Sequence, residues 1–559
     1  MKSVYRILCG NALVLCTLYF MTNVSSKHRP ALCSGRFDAI LRLFIAIVVI
    51  LICLLPAYHY AGVGMFFFDE PYQILNCRDY LNSPLAPLTG WLGGVIGNAF
   101  GWEWLHFRYL AMGCTAVSIL AGCVWMWHKT RAFVPTLLVG AACLVLATTM
   151  RTHLIVFGWD NFALLFTTLL MVAMLSALEK PTWSKIVILS VLSALSVWVR
   201  VPDIVAVPIV AVALFFTHGE YRLRLKRLII YITATVILSV VILLLLYGSF
   251  STYVSALAAN AIDSHSKFTI LLTFFLGGIS VAFASLSFFG ANTVLAIRFH
   301  NKWQLAVGIG GMILILFYAL FGRAISVYMF MTGFMMMFAG AVCYYGIKMG
   351  RKDVALEIGL LFCMSLVPCV GSNTGLNKMI VFPLLPIALA YLRMIRMSSI
   401  GYTAVSCACA MFLFLPSHLK HGYGILDGVS ESTEVFTEGI FKGMSTSPEN
   451  KAVLTAVQTD MAPYMRGDTK LMILRANVDY VYEYMFNSRN EYLRHRFDAA
   501  GCVASCEYID WVRQEIAGDG HHTVLYFLPD NGASNPMQQM LDERLDRAVV
   551  TPRYIIYSR

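Results

Sequence analysis

The fold class this sequence predicts is a polytopic α-helical membrane protein with a small C-terminal α/β domain. Three observations predict it. Of 559 residues, 58% are hydrophobic and only 13% charged, about half the charged share of a soluble globular chain. Apolar runs long enough to cross a bilayer recur through the first three quarters of the chain. From residue 417 onward those runs shrink to strand length and alternate with amphipathic stretches.

The first 36 residues form an N-terminal segment of open role. Residues 8–20 are apolar, follow Lys2 and Arg6, and precede Lys27, His28 and Arg29. That pattern fits a signal-like core, an extra span or an extension without structural role. The first clear span covers residues 43–60. Further apolar runs begin near residues 110, 133, 161, 186, 204, 228, 270, 305, 325, 354, 379 and 400, which makes about thirteen helices. These runs place a transmembrane domain at residues 37–416.

Alternate connections carry the basic residues: Lys129 and Arg131, Lys180 and Lys185, the Arg222–Arg227 band, Arg298 and Lys302, Lys348 to Lys352, and Arg393 with Arg396. The positive-inside rule puts these in the cytoplasm. The remaining connections, at Asp69, Arg151, Arg200, Lys267, Arg323 and Lys378, then face outward, as does everything after residue 416. The net charge of +11 lies in short bands between spans, so it is no nucleic-acid footprint. Most of the 15 cysteines fall inside spans and act as small hydrophobes; no Cys/His spacing resembles a zinc site.

The most informative local feature is Asp69 with Glu70, at the outward end of the first span. Two carboxylates beside a bilayer are costly unless solvated or working, so the pair is a candidate site. It opens a long outer loop, residues 69–107, with Arg78, Asp79, Pro84, Pro87 and the tryptophans 91, 102 and 104. Other charged groups mark the same depth: Arg108 at the start of the second span, Arg151 after the third, Asp160 opening the fourth, and Arg200 with Asp203 between the fifth and sixth. An arginine at such a boundary often only snorkels. A short-stemmed carboxylate has less reason to sit there.

In the tail, residues 471–474, 524–528 and 554–557 read as a few parallel strands, with helices at 451–465, 478–486, 508–516 and 537–548. His521 and His522 read as a solvated loop, and the tail shows no chemistry of its own.

The order of these motifs resembles the GT-C superfamily of polyprenyl-phosphate-sugar-dependent glycosyltransferases, which includes protein O-mannosyltransferases and lipid A aminoarabinose transferases. The features that carry it are Asp69-Glu70-Pro71-Tyr72, the Pro/aromatic stretch from Ser83 to Leu92, an Arg108-led second span, Arg151 followed by Asp160-Asn161-Phe162-Ala163-Leu164-Leu165, and Trp198-Val199-Arg200-Val201-Pro202. The resemblance covers residues 36–216 and weakens where Arg200-Val201-Pro202 lacks the glycine common in relatives.

The resemblance implies an inverting transfer of a sugar from a polyprenyl-phosphate donor to a glycan, lipid or protein acceptor at the outer face of a bacterial inner membrane. Asp69 would be the base, Glu70 an acceptor or sugar contact, and Asp160 an orienting group. Cations would receive the leaving phosphate: Arg78, Arg200, Arg323 and Lys378, with Arg151 as a further candidate and Arg108 pairing a carboxylate at the loop base. The polar turn Gly371 to Lys378 would cap the sugar pocket, and the outer loop would form helices lying in the interface. No cofactor is certain, and a divalent cation stays open. Rival classes are a transporter or flippase, which calls for mid-span charges and repeats, and a polysaccharide polymerase or ligase, which places its large loop late in the chain.

Overall fold

The computed structural model describes residues 34–67, 69–149, 156–260, 310, 350–370, 386–387, 389–391, 431–465, 469–474, 480–487, 506–518, 520–528 and 536–559. The spans expected from residues 270, 305, 325, 379 and 400 lie wholly or largely outside these residues, as does most of residues 1–36.

The chain is mostly helical. In order run α1 (Ser34–Tyr60), α2 (Asp69–Arg78), α3 (Pro87–Phe100), α4 (Trp104–Thr130), α5 (Phe133–Thr149), α6 (Trp159–Glu179), α7 (Trp183–Val199), a 3-10 turn (Val201–Val205), α8 (Ala206–Phe215), α9 (Tyr221–Tyr247), α10 (Phe250–Asn260) and α11 (Lys352–Leu366). Three of these, α4, α6 and α9, are long and apolar enough to cross a membrane. Together with the composition, this makes the chain an integral membrane protein. The outer face of α9 exposes Ile229, Ile232, Val236, Ile237, Val240 and Leu245, the surface a lipid tail covers. The basic band expected as a connection is not one: Arg222, Arg224, Lys226 and Arg227 all lie within α9.

Packing follows the apolar faces. α4 packs on α6, α6 on α7, α7 on α9, and α1 on α5. At one end of this bundle Lys129 of α4 pairs with Glu179 of α6, and Tyr391 donates to Glu357 of α11 at 2.8 Å. The outer loop gathers at the other end.

That loop is two short helices in close contact. α3 begins with Pro87, whose missing N–H costs nothing at a first helical position, and stops at Gly101, φ +99°. Gly90, Gly93 and Gly94 on one side of α3 admit α2 to backbone distance. A Cβ on Gly93 would lie 2.2 Å from the Cys77 sulfur, and one on Gly94 2.6 Å from the Cys77 carbonyl oxygen.

The C-terminal region contributes β1 (Glu434–Val435) and β2 (Ser445–Thr446), then α12 (Pro448–Met461), β3 (Lys470–Leu474), α13 (Val481–Phe486), α14 (Cys506–Ala517), β4 (His522–Phe527), α15 (Pro536–Asp542), β5 (Asp546–Val550) and β6 (Tyr554–Ser558). The sheet order is β3-β4-β6-β5. Only β3 and β4 run parallel; β4–β6 and β5–β6 are antiparallel, which corrects the all-parallel expectation. A helix expected to reach residue 548 ends at Asp542, and β5 follows it. The stretch's apolar spacing suits a helix, but Arg547 turns back to Asp542, 2.6 Å from Nε to Oδ1, and the chain returns along β6. His522 is not in a solvated loop either: it opens β4 and is buried.

Alternation along the strands splits the sheet between two cores. Val524, Tyr526, Ile555 and Tyr557 face α14 and α15. Ile473, Leu525, Ile556 and Tyr554 join a cluster that also holds Met65, Trp104, Phe107 and Trp198. The tail is therefore docked on the same end of the bundle as the outer loop. Its β1–β2 segment joins the bundle backbone to backbone: Ser445 N–H donates to the Gly62 carbonyl at 2.7 Å, and Gly64 N–H donates to that of Ser445 at 2.9 Å.

Candidate active site at the Asp69 end of the bundle

Glu70 is the second residue of α2 and fully buried. Arg108, one turn into α4, faces it with the edge of its guanidinium. Nε lies 2.9 Å and 3.1 Å from the two Glu70 oxygens, and Nη2 lies 2.7 Å from Oε2. Nη1 donates to the Ala61 carbonyl at 2.9 Å. The Phe157 backbone N–H adds a fourth bond to Glu70, at 3.1 Å. A buried charge pair is tolerable only when both partners are hydrogen-bonded in this way. One pair thus joins the end of α1, the start of α2, α4 and the turn before α6.

This corrects the expectation for Glu70. With no exposed surface and with donors on both oxygens, it is not placed to touch a sugar or an acceptor. Arg108 is its partner at the loop base.

Asp69 is half-buried at the first position of α2. Gln73 lies one turn further, on the same side of the helix, and its Cγ sits 3.7 Å from where a Cβ on Gly158 would be. Gly158 precedes α6, whose second residue is Asp160, also half-buried. The Asn161 side chain accepts from the Gly158 N–H at 2.8 Å and closes that helix end. The Asp69 end of α2 and the Asp160 end of α6 are thereby brought side by side. Each carboxylate sits in a first helical turn.

Arg200 ends α7 and is buried. Its Nη1 donates to Asp203 Oδ1 at 2.7 Å and its Nη2 to the Val370 carbonyl at 2.6 Å. The same turn is stitched to the outer loop, because Val201 N–H donates to the Leu85 carbonyl at 2.8 Å and Thr89 Oγ1 to that of Val199 at 2.9 Å.

Arg78, at the far end of α2, is half-buried. Its guanidinium lies 5.0 Å from the Trp102 ring centre and 5.3 Å from that of Tyr484, and it bonds the Asn487 side chain. Burial lowers its pKa, while Tyr484 acts to raise it. Arg151, Arg323, Lys378 and the turn from Gly371 to Lys378 lie outside the described residues.

Three contributors escaped the sequence reading. The Phe157 N–H and the Ala61 carbonyl are backbone groups without a side-chain signature. The β1–β2 segment was hidden because its Gly443, with φ +80°, reads as any loop glycine; only the facing Gly62 and Gly64 hinted at a close backbone approach. Among the described residues, no group of three or more His, Cys, Asp or Glu comes together to hold a metal ion.

No protein-family model matches this chain, and no curated protein does. Among solved structures it is similar to the oligosaccharyltransferase of Archaeoglobus fulgidus in complex with Zn and sulfate, at 12% identity and TM-score 0.47, over 86% of this chain and 67% of that one. It is also similar to ArnT from Cupriavidus metallidurans bound to undecaprenyl phosphate, at 13% identity and TM-score 0.43, over 94% and 98% of the two chains. The apo state of that ArnT gives 12% identity and TM-score 0.40 over the same shares. At such identities the likeness carries no residue's role across to this chain.

Proposed function

We propose that this chain is an integral membrane glycosyltransferase of GT-C type, moving a hexosyl or pentosyl unit from a polyprenyl-phosphate donor to a glycan, lipid or protein acceptor at the outer face of the membrane. The observation that carries the reading is the division of labour in the acidic pair. Glu70 is locked by Arg108, Ala61 and Phe157, and this lock fixes the first turn of α2 so that Asp69 is presented beside the start of α6.

In the proposed reaction Asp69 takes the proton of the acceptor hydroxyl as that oxygen bonds the anomeric carbon. The bond from that carbon to the phosphate oxygen breaks on the opposite side, its electron pair leaves with the polyprenyl phosphate, and the anomeric centre inverts. Asp160 orients the acceptor. Arg200 receives the phosphate: two of its five N–H groups hold Asp203 and the Val370 carbonyl, which sets the plane of the fork for the others. Arg78 is the second described cation, and Arg151, Arg323 and Lys378 complete the proposed set. α2 and α3 would lie in the interface, and the C-terminal sheet would stand outside the cytoplasm as a small α/β domain.

Asp69→Asn keeps size and loses proton affinity. Transfer should fall by about a hundredfold or more, the scale of general-base loss, while unfolding temperature and donor binding hold. The measurement is single-turnover transfer in nanodiscs. Near-normal turnover of Asp69→Asn would remove the base, and with it this reading.

A further inference from the structure

Two buried donors, one on α2 and one at the end of α9, lack partners. The Asn76 amide nitrogen and the Tyr247 hydroxyl have no hydrogen-bond partner among the described residues, although the residues are only 4% and 6% exposed. Leaving such groups unmade costs free energy, so each invites explanation.

Tyr80 connects their surroundings. Asn76 and Tyr80 both border Gly90 of α3: a Cβ there would lie 3.1 Å from the Asn76 carbonyl oxygen and 2.8 Å from Tyr80 Cβ. The Tyr80 hydroxyl donates to the Leu246 carbonyl at 3.2 Å, next to Tyr247. Tyr253 stands edge-on to Tyr247 at 5.2 Å and to Trp198 at 5.3 Å, and Trp198 satisfies its own N–H on the Ser239 carbonyl. Trp198 lies two residues before Arg200. Asn76 lies seven residues after Asp69, within about 20° of it around the helix. Asn76 therefore shares the Asp69 side of α2, and Tyr247 adjoins the aromatic rings that lead toward Arg200.

Resting on the transferase reading, we infer that Asn76 and Tyr247 form a subsite for the sugar of the lipid-linked donor, Asn76 Nδ2 and Tyr247 Oη donating to sugar oxygens while the Tyr253 and Trp198 rings flank the pyranose or furanose ring. Aromatic faces with a few aimed donors suit a ring that is apolar on its C–H face and polar at its edge. The unmet donors are kept because the substrate meets them.

The test uses the full-length chain in nanodiscs. Binding of undecaprenyl phosphate is compared with that of undecaprenyl phosphate carrying mannose, glucose or aminoarabinose, for wild type, Asn76→Leu and Tyr247→Phe. Wild type should bind at least one sugar-bearing lipid more tightly than the bare phosphate. Each variant should lose about three- to tenfold of that sugar-dependent increment, keep its affinity for the bare lipid, and melt no lower than wild type when unliganded. Unchanged sugar increments in both variants overturn the subsite and leave the transferase reading standing. An equal loss for both kinds of lipid, or a fall in unliganded melting, assigns the two residues to structure and likewise overturns it. Wild type that binds neither kind of lipid overturns the subsite and the donor assignment together.

Discussion

Two buried ion pairs stand at the end of the bundle where α2 and α3 gather, and they are built differently. Glu70 and Arg108 lie 38 residues apart on two helices and are joined by backbone groups from two further segments. Arg200 and Asp203 belong to one turn, from which Arg200 also reaches the Val370 carbonyl. The first pair is a junction: without it, the ends of α1, α2, α4 and α6 lose their common point. The second is a local brace that orients one guanidinium. A buried pair is costly to assemble and costlier to halve, so the two should respond differently to the same kind of substitution.

The largest effect should follow from halving the junction. Glu70→Ala leaves the Arg108 charge buried beside an apolar gap, and should lower stability by about 3–5 kcal/mol. The double change Glu70→Leu with Arg108→Met should recover most of that in detergent unfolding while transfer stays lost, because Asp69 no longer has a fixed neighbour. If the double variant transferred normally, the junction would be packing alone.

Next comes the seam that holds the Ala61 carbonyl on Arg108. A Cβ on Gly62 would lie 2.2 Å from the Gly443 carbonyl oxygen, backbone against backbone. Gly62→Ala should therefore cost about 1–3 kcal/mol, as overpacking does, and should raise proteolysis at residues 431–446. Protection there equal to wild type would show that the tail and the junction are not coupled.

The brace should show its character in a split between stability and binding. Arg200→Lys retains a charge for Asp203, and its unfolding temperature should move less than that of either Glu70 or Gly62 variants. Its donor affinity should nevertheless fall about tenfold, close to that of Arg200→Ala, because an ammonium cannot reproduce the fork. Equal donor affinity for Lys and wild type would make Arg200 a structural brace only and move the phosphate to Arg78, Arg323 or Lys378.

The smallest effect belongs to an exposed pair in the C-terminal sheet. The Arg547 bond, with help from the Tyr557 hydroxyl at 2.8 Å, holds the Asp542 carboxyl below its ordinary 3.8. Since the folded value is depressed, the contribution is complete above the ordinary aspartate value and fades as pH drops through the lowered one. Asp542→Asn should be nearly silent at neutral pH and should flatten only the acid limb of the stability–pH curve. A large loss at pH 7 would mean that this pair, too, is a junction.

These contrasts follow how far each feature could be read along the chain. The membrane class and several helix positions were legible because apolar runs of span length leave few alternatives. The acidic start of the outer loop was legible because two carboxylates at an apolar boundary are out of place. The strands at β3, β4 and β6 were legible as short apolar runs, whereas β5, with its exposed Arg547 and Val550, was read as helix because only pairing with β6 makes it a strand. Local pattern placed Arg200 beside Asp203. It could not separate the roles of Asp69 and Glu70, because what tells them apart is a guanidinium 38 residues away, a carbonyl on the preceding turn and an N–H from the turn before α6. Nor could it mark the Asn76 amide nitrogen and the Tyr247 hydroxyl, which stand out only once packing leaves them without a partner among the described residues. Sequence by itself determined which segments are too apolar for water and which charges sit at their ends. Tertiary structure alone decided which of those charges are satisfied inside the protein, since satisfaction is a matter of distance between groups the chain order keeps apart.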